Sequence, residues 1–238
     1  LHGTDSFNYK FILLLAMCTE YLFLNLKAYS EVDGPFCEQV AAYAVEVTEE
    51  TGVQVVVCPP YTWIQAAASS GAVVYAQHAD AVDAGAKTGF MPPELLRHAG
   101  ASGSILNHSE HRIGMEQIKF LVHKMRELGM HTLLCAETAD SASSLAKLNP
   151  DFIAVEPPEL IGTGISVSRA KPELIVEAVN SVASAGNIPL IAGAGIVDAA
   201  DVRRARELGA NGALVASAIV HSKRRRELIR EMATALVL

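Results

Sequence analysis

From residue 21 onward, short apolar runs alternate with longer amphipathic stretches all the way to the C-terminus. Eight runs read as strands: "YLFLNLKAY" (21–29), "VQVVVCP" (53–59), "VVYAQ" (73–77), "GSILN" (103–107), "HTLLC" (131–135), "FIAVE" (152–156), "PLIAG" (189–193) and "GALVA" (212–216). Continuous apolar runs of this length are what strands buried on both faces look like. The stretches between them read as helices. "PFCEQVAAYAVEVTEETG" has Pro35 near its start and Gly52 past its end, the usual asymmetry of helix termini. "GMEQIKFLVHKMRELG" is amphipathic and stops at Gly129. Helical patterns also cover "YTWIQAAASSG", the stretch from Pro92, "DSASSLAKL", "KPELIVEAVNSVASAG", "DAADVRRARELG" and "KRRRELIREMATALV".

Strands that alternate with helices imply a parallel sheet with right-handed crossovers. Eight such units imply an α/β fold closed into a single (β/α)8 barrel. An open doubly wound sheet is the alternative. Its support would be a G-x-G-x-x-G after the first strand, and the sequence has none there. The length of 238 residues suits one such barrel. Residues 1–16 read as an extension outside the fold, with Met17 a plausible start and 17–238 as the barrel domain. The apolar run "FILLLAM" is too short for a membrane span, and no small-x-small cleavage site follows it.

Charge and cysteine content narrow the classes of function. A formal net charge of -7 argues against non-specific nucleic-acid binding and against an anionic membrane surface. Anionic small molecules remain open, because backbone N–H groups bind them inside acidic proteins. Cys18, Cys37, Cys58 and Cys135 form no C-x-x-C pair. They read as plain buried thiols in a reducing, cytoplasmic setting rather than as zinc ligands.

In such a barrel, chemistry gathers at the C-terminal ends of the strands. Glu156 ends strand six and is followed by two prolines and the turn "IGTG". A carboxylate there is a candidate general base. The prolines would stiffen one end of a loop able to close over a substrate. Alternatively, Glu156 caps a helix or pairs with a lysine. His108 follows strand four in "NHSEHR". Facing helix-turn N–H groups, it would stay neutral and donate a hydrogen bond to a carbonyl. Lys27, after strand one, has three readings: an ion pair with Glu110, a contact to an anionic substrate, or a Schiff-base amine. The turns "IGTG", "AGAG" and "VASA" after strands six to eight fit a phosphate site, with Gly193 and Gly195 allowing close backbone approach and Ser217 adding a hydroxyl. A Schiff-base aldolase and a catalytically silent sugar-phosphate binder are the competing functions.

"NLK", "ILNHSEHR" and "VEPPELIGTG", in that order, resemble the triosephosphate isomerases, and the spacing resembles their short archaeal branch. The resemblance implies interconversion of dihydroxyacetone phosphate and D-glyceraldehyde 3-phosphate in glycolysis and gluconeogenesis, with no cofactor and no metal. It implies Glu156 as base, His108 as electrophile, and Lys27 and Asn25 as substrate contacts. Ile161, Gly162, Gly193, Gly195, Ala216 and Ser217 would hold the phosphate. Glu110 would support Lys27, and Thr88 of "GAKTG" would reach a neighbouring subunit's site. The apolar tip of "DAGAKTGFMPP" would otherwise sit in water. A homo-oligomer is therefore implied, a tetramer ahead of a dimer.

Overall fold

A computed structural model describes residues 20–161 and 163–237. The expected extension and Cys18 lie outside the described residues. The strands are β1 (Tyr21–Asn25), β2 (Gln54–Cys58), β3 (Val73–Ala76), β4 (Gly103–Leu106), β5 (His131–Ala136), β6 (Phe152–Val155), β7 (Leu190–Ala192) and β8 (Gly212–Val215). They pair in chain order, and β8 pairs with β1, closing an all-parallel barrel. The helices are α1 (Gly34–Thr51), α2 (Ile64–Ser69), α3 (Pro93–His98), α4 (Met115–Glu127), α5 (Ala139–Ala146), α6 (Val167–Ala170), α7 (Pro172–Ala183), α8 (Ala199–Glu207), α9 (Ser217–Val220) and α10 (Arg225–Val237). The (β/α)8 expectation holds, with each crossover carried by at least one helix.

Side-chain parity explains why the ends of these strands meet. Successive residues of a strand point to opposite faces. On β1, Leu22 and Leu24 join the large cluster between barrel and helices, while Tyr21 and Phe23 join the cluster inside the barrel. The same inward parity holds for Ile105, Leu133, Cys135, Phe152, Ala154, Ile191 and Leu214. Aromatic rings fill the lower interior edge to face, Tyr21 against Phe152 at 4.7 Å and Phe23 against Tyr75 at 5.5 Å, an arrangement that ring quadrupoles favour. Continuing each strand by its period of two carries Asn25, Glu156, Gly193 and Ala216 over the barrel mouth.

Local chemistry fixes the helix ends. The Asp33 carboxylate accepts the Phe36 N–H at 2.9 Å and opens α1; Gly52 closes it in the left-handed region at φ 75°, as N-cap acids and C-terminal glycines usually do. The differences from the sequence reading are small. β1 stops at Asn25 rather than running to residue 29, because the Asn25 side chain accepts the Lys27 N–H at 3.1 Å and Lys27 turns to φ 51°. The short helices α6 and α9 and the 3-10 turn Pro158–Leu160 were not foreseen. Each is too short to carry a helical period.

Candidate active site

A cavity opens at the C-terminal mouth of the barrel. It is lined by Asn25, Lys27, Tyr29, His108, Glu156, Ile161, Gly164, Ala194, Gly195, Ala216 and Ser217, among others. Five loops converge here: strand parity delivers Asn25, Glu156 and Ala216, while His108 arrives through the left-handed turn at Asn107. Asn25, His108 and Glu156 are all buried, at 5%, 6% and 4% relative exposure.

The electrostatics of the central pair follow from its contacts. The Glu110 N–H donates to His108 Nδ1 at 3.2 Å. Nδ1 therefore carries a lone pair, and the imidazole proton sits on Nε2. His108 Nε2 faces Glu156 Oε2 at 3.5 Å. That oxygen is buried and has no hydrogen-bond partner among the described residues. Burial pushes the Glu156 carboxyl upward. The facing His108 imidazole, the Cys135 thiol and the Lys27 charge outweigh it and hold the group below the ordinary glutamate range. A buried, ionised carboxylate with one free oxygen is equipped to take a proton from a substrate carbon.

Lys27 sits at φ 51°, outside the conformations most residues adopt. Three hydrogen bonds hold that turn: Leu26 N–H to Cys58 O at 3.0 Å, Lys27 N–H to Asn25 Oδ1, and the Gln77 amide to Lys27 O at 3.0 Å. The Lys27 ammonium pairs with Glu110 Oε1 at 2.6 Å. Asn107, at φ 60°, holds the loop that carries His108 by donating to Cys135 O at 3.0 Å and accepting the Ile113 N–H.

Two glycines are required by close approach. A Cβ at Gly193 would stand 2.4 Å from Glu156 Cγ, and one at Gly195 would stand 1.9 Å from Ile165 O. Gly195 is also left-handed, at φ 67°. The Gly193 N–H donates to Val155 O at 3.0 Å, completing the barrel ladder, and Gly193 is not among the residues lining the cavity. Its lack of a side chain leaves the space that Glu156 occupies. Thr88 lies on an exposed loop and does not line this chain's own cavity. Gly162 lies outside the described residues. Among the described residues, no group of three or more His, Cys, Asp or Glu could hold a metal ion, and no helix is long and apolar enough to cross a membrane. Cys37, Cys58 and Cys135 are buried free thiols.

The family model for triosephosphate isomerase matches residues 20–232. The chain belongs to the triosephosphate isomerase family. It is similar to the triosephosphate isomerase of Caldivirga maquilingensis, with 47% identity over 91% of this chain and 97% of that one. It is likewise similar to those of Cenarchaeum symbiosum, 42% identical over 90% and 97%, and Methanopyrus kandleri, 41% identical over 90% and 96%. These relatives are archaeal, in keeping with the resemblance to the short branch. Of the residues singled out in the sequence, Asn25, Lys27, His108, Glu156, Ile161, Gly195, Ala216 and Ser217 come together in one cavity of this isomerase-family barrel. Tyr29, Ala194 and Cys135 were missed. The inward parity of β5 points to Cys135. Nothing in "KAYS" points to Tyr29, which reaches the cavity only through the turn at Lys27.

Proposed function

We propose that this barrel interconverts dihydroxyacetone phosphate and D-glyceraldehyde 3-phosphate, with Glu156 as the single base. The carboxylate removes a proton from the hydroxymethyl carbon beside the carbonyl. The electron pair moves through a C=C bond onto the carbonyl oxygen, giving an enediolate. The hydroxyl proton passes from the first oxygen to the former carbonyl oxygen, the same carboxyl group returns its proton to the neighbouring carbon, and the aldehyde forms. Atoms and charge balance within the substrate and one carboxyl group, so no redox partner is required. His108 Nε2–H and the Lys27 ammonium face the oxygens on which charge develops. One preorganised donor is worth roughly 3–4 kcal/mol, and a positioned base about 10²–10⁴-fold.

The observation that carries the reading is the facing of Glu156 Oε2 and His108 Nε2 across 3.5 Å at the barrel mouth. Both are buried, and both lie in the same cavity as Gly164, Gly195 and Ser217. Gly164, the turn at Ala194–Gly195 and the start of α9 border the cavity, where small residues suit close approach of the substrate's phosphate. Asn25 would fix the substrate from the floor, and Glu110 would keep Lys27 in place. The exposed loop bearing Thr88 and Phe90, the latter 47% exposed, suits a homo-oligomer in which Thr88 reaches a neighbour's site; a tetramer is favoured. Buried free thiols suit a cytoplasmic enzyme of glycolysis and gluconeogenesis. A coupled assay on glyceraldehyde 3-phosphate tests the reading. His108→Gln is expected to lose about 10²-fold or more in kcat with inhibition by inorganic phosphate intact. Full activity in that variant would remove the imidazole from the mechanism.

A further inference from the structure

The segment after the cavity-lining loop, "ISVSRA", carries polar residues that the chemistry above leaves unused. Ser166, Ser168 and Asp201 are buried, at 2%, 1% and 0%. Arg169 Nε reaches Asp201 Oδ1 at 2.5 Å, and its Nη2 reaches both Asp198 oxygens at 3.2 Å. The other Asp201 oxygen accepts the Val197 N–H at 3.0 Å. Ser168 Oγ donates to Asp201 O, Ser166 Oγ lies 2.8 Å from Ser168 Oγ, and the Val167 N–H donates to Ala194 O at 3.1 Å. Two cavity-lining segments, the loop ending at Ile165 and the turn Ala194–Val197, are thus fastened together at one buried carboxylate.

A capping role explains only part of this. Asp198 is the N-cap of α8, and its carboxylate accepts the Asp201 N–H at 2.9 Å. The Asp201 bond back to Val197 then resembles ordinary helix capping. Capping leaves Asp201 Oδ1 buried without a hydrogen-bond donor among the described residues, and Arg169 of α6 brings its charge to ion-pair distance. A fully buried carboxylate without such a partner is strongly destabilising. By contrast, the Glu159–Lys171 pair spans the same loop with both side chains well exposed, and exposed pairs contribute little.

We infer that Arg169 is a positioning residue: through Asp201 it sets the end of the loop so that Gly164–Ile165 and Gly195 face one phosphate group. The inference rests on the phosphate-site reading above and deepens it. Its test compares wild type with Arg169→Gln on three readouts: kcat/KM for glyceraldehyde 3-phosphate, inhibition by inorganic phosphate, and kcat/KM for D-glyceraldehyde, which has no phosphate. The expected result is a loss of about 10–10²-fold for the phosphorylated substrate, the order of a misplaced loop. Phosphate inhibition should weaken in step, glyceraldehyde should be unchanged within about twofold, and Arg169→Lys should recover most of the loss. Should Arg169→Gln not fold, Asp201→Asn removes the charge while keeping an acceptor for Val197, and the same split is expected. Unchanged kinetics, or an equal fall on both substrates, would overturn the inference. A wild type that inorganic phosphate does not inhibit would instead overturn the phosphate-site reading itself, and the inference with it.

Discussion

Gly193→Ala isolates the space that the base occupies. The backbone at 193 is not in the left-handed region, so alanine fits there without conformational strain. Its N–H would still complete the ladder to Val155. The only new atom is a Cβ, placed 2.4 Å from Glu156 Cγ and 2.9 Å from its Cδ and Oε1. Carbon atoms pack at about 3.5–4.0 Å, so Glu156 must retreat by roughly 1 Å. A misplacement of that size costs on the order of 10²-fold, equivalent to about 2.7 kcal/mol of transition-state stabilisation. Losing the base outright sets the ceiling, about 10⁴-fold. Overpacking should also lower stability by about 1–3 kcal/mol, readable as a drop in Tm. The assay is kcat from coupled turnover of glyceraldehyde 3-phosphate, with inorganic phosphate inhibition measured alongside. The expected pattern is a kcat loss near 10²-fold with phosphate affinity preserved. If kcat stays within threefold in a folded variant, Gly193 does not set the position of the base. If phosphate affinity falls instead, Gly193 belongs to the phosphate rim after all.

Gly195→Ala should act on the other partner. Its Cβ would collide with the Ile165 carbonyl at 1.9 Å, driving the Ile161–Ile165 loop off the turn. Phosphate inhibition should weaken by about 10-fold or more, and an unchanged inhibition constant would contradict the packing argument. The acid dependence has a definite sign. The folded Glu156 carboxyl lies below its ordinary value, whereas the unfolded chain titrates near pH 4.3. Glu156 therefore contributes stability that is present above about pH 4.3 and is lost as pH falls through the lower folded value. A carbon-13 titration of the Glu156 carboxyl should find it ionised throughout pH 5–8. An activity limb near pH 6 would then belong to the substrate's phosphate. A Glu156 midpoint at or above pH 5 would contradict this.

Much of this was legible in the sequence because two periodicities agree. Apolar runs gave the eight strands and their C-terminal ends gave the candidates, and the structure shows that the period of two within each run sets which residues face inward. Phe23 and Asn25 share a face, as do Phe152, Ala154 and Glu156, so the mouth of the barrel could be listed from the strand ends. What stayed hidden depends on turns rather than periods. The left-handed turn at Lys27 ends β1 early and brings Tyr29 to the cavity, and no side-chain pattern announces a lysine at φ 51°. Glycine serves both for backbone approach and for making room, so "AGAG" alone does not say which use Gly193 has. Only the position of Glu156 Cγ separates the two uses. The four-residue helices α6 and α9 fall below the length at which a helical repeat can be seen. With α6 went the Arg169–Asp201 contact, whose partners stand 32 positions apart in sequence.

The central claim is that one carboxyl group moves the proton. Exchange of the substrate's carbon-bound hydrogen with deuterated solvent, followed by proton NMR on wild type and Glu156→Ala, tests it directly. Wild type should exchange and isomerise, while Glu156→Ala should lose both by about 10²-fold or more and still bind inorganic phosphate. Exchange in Glu156→Ala within a few-fold of wild type would mean that another group takes the proton.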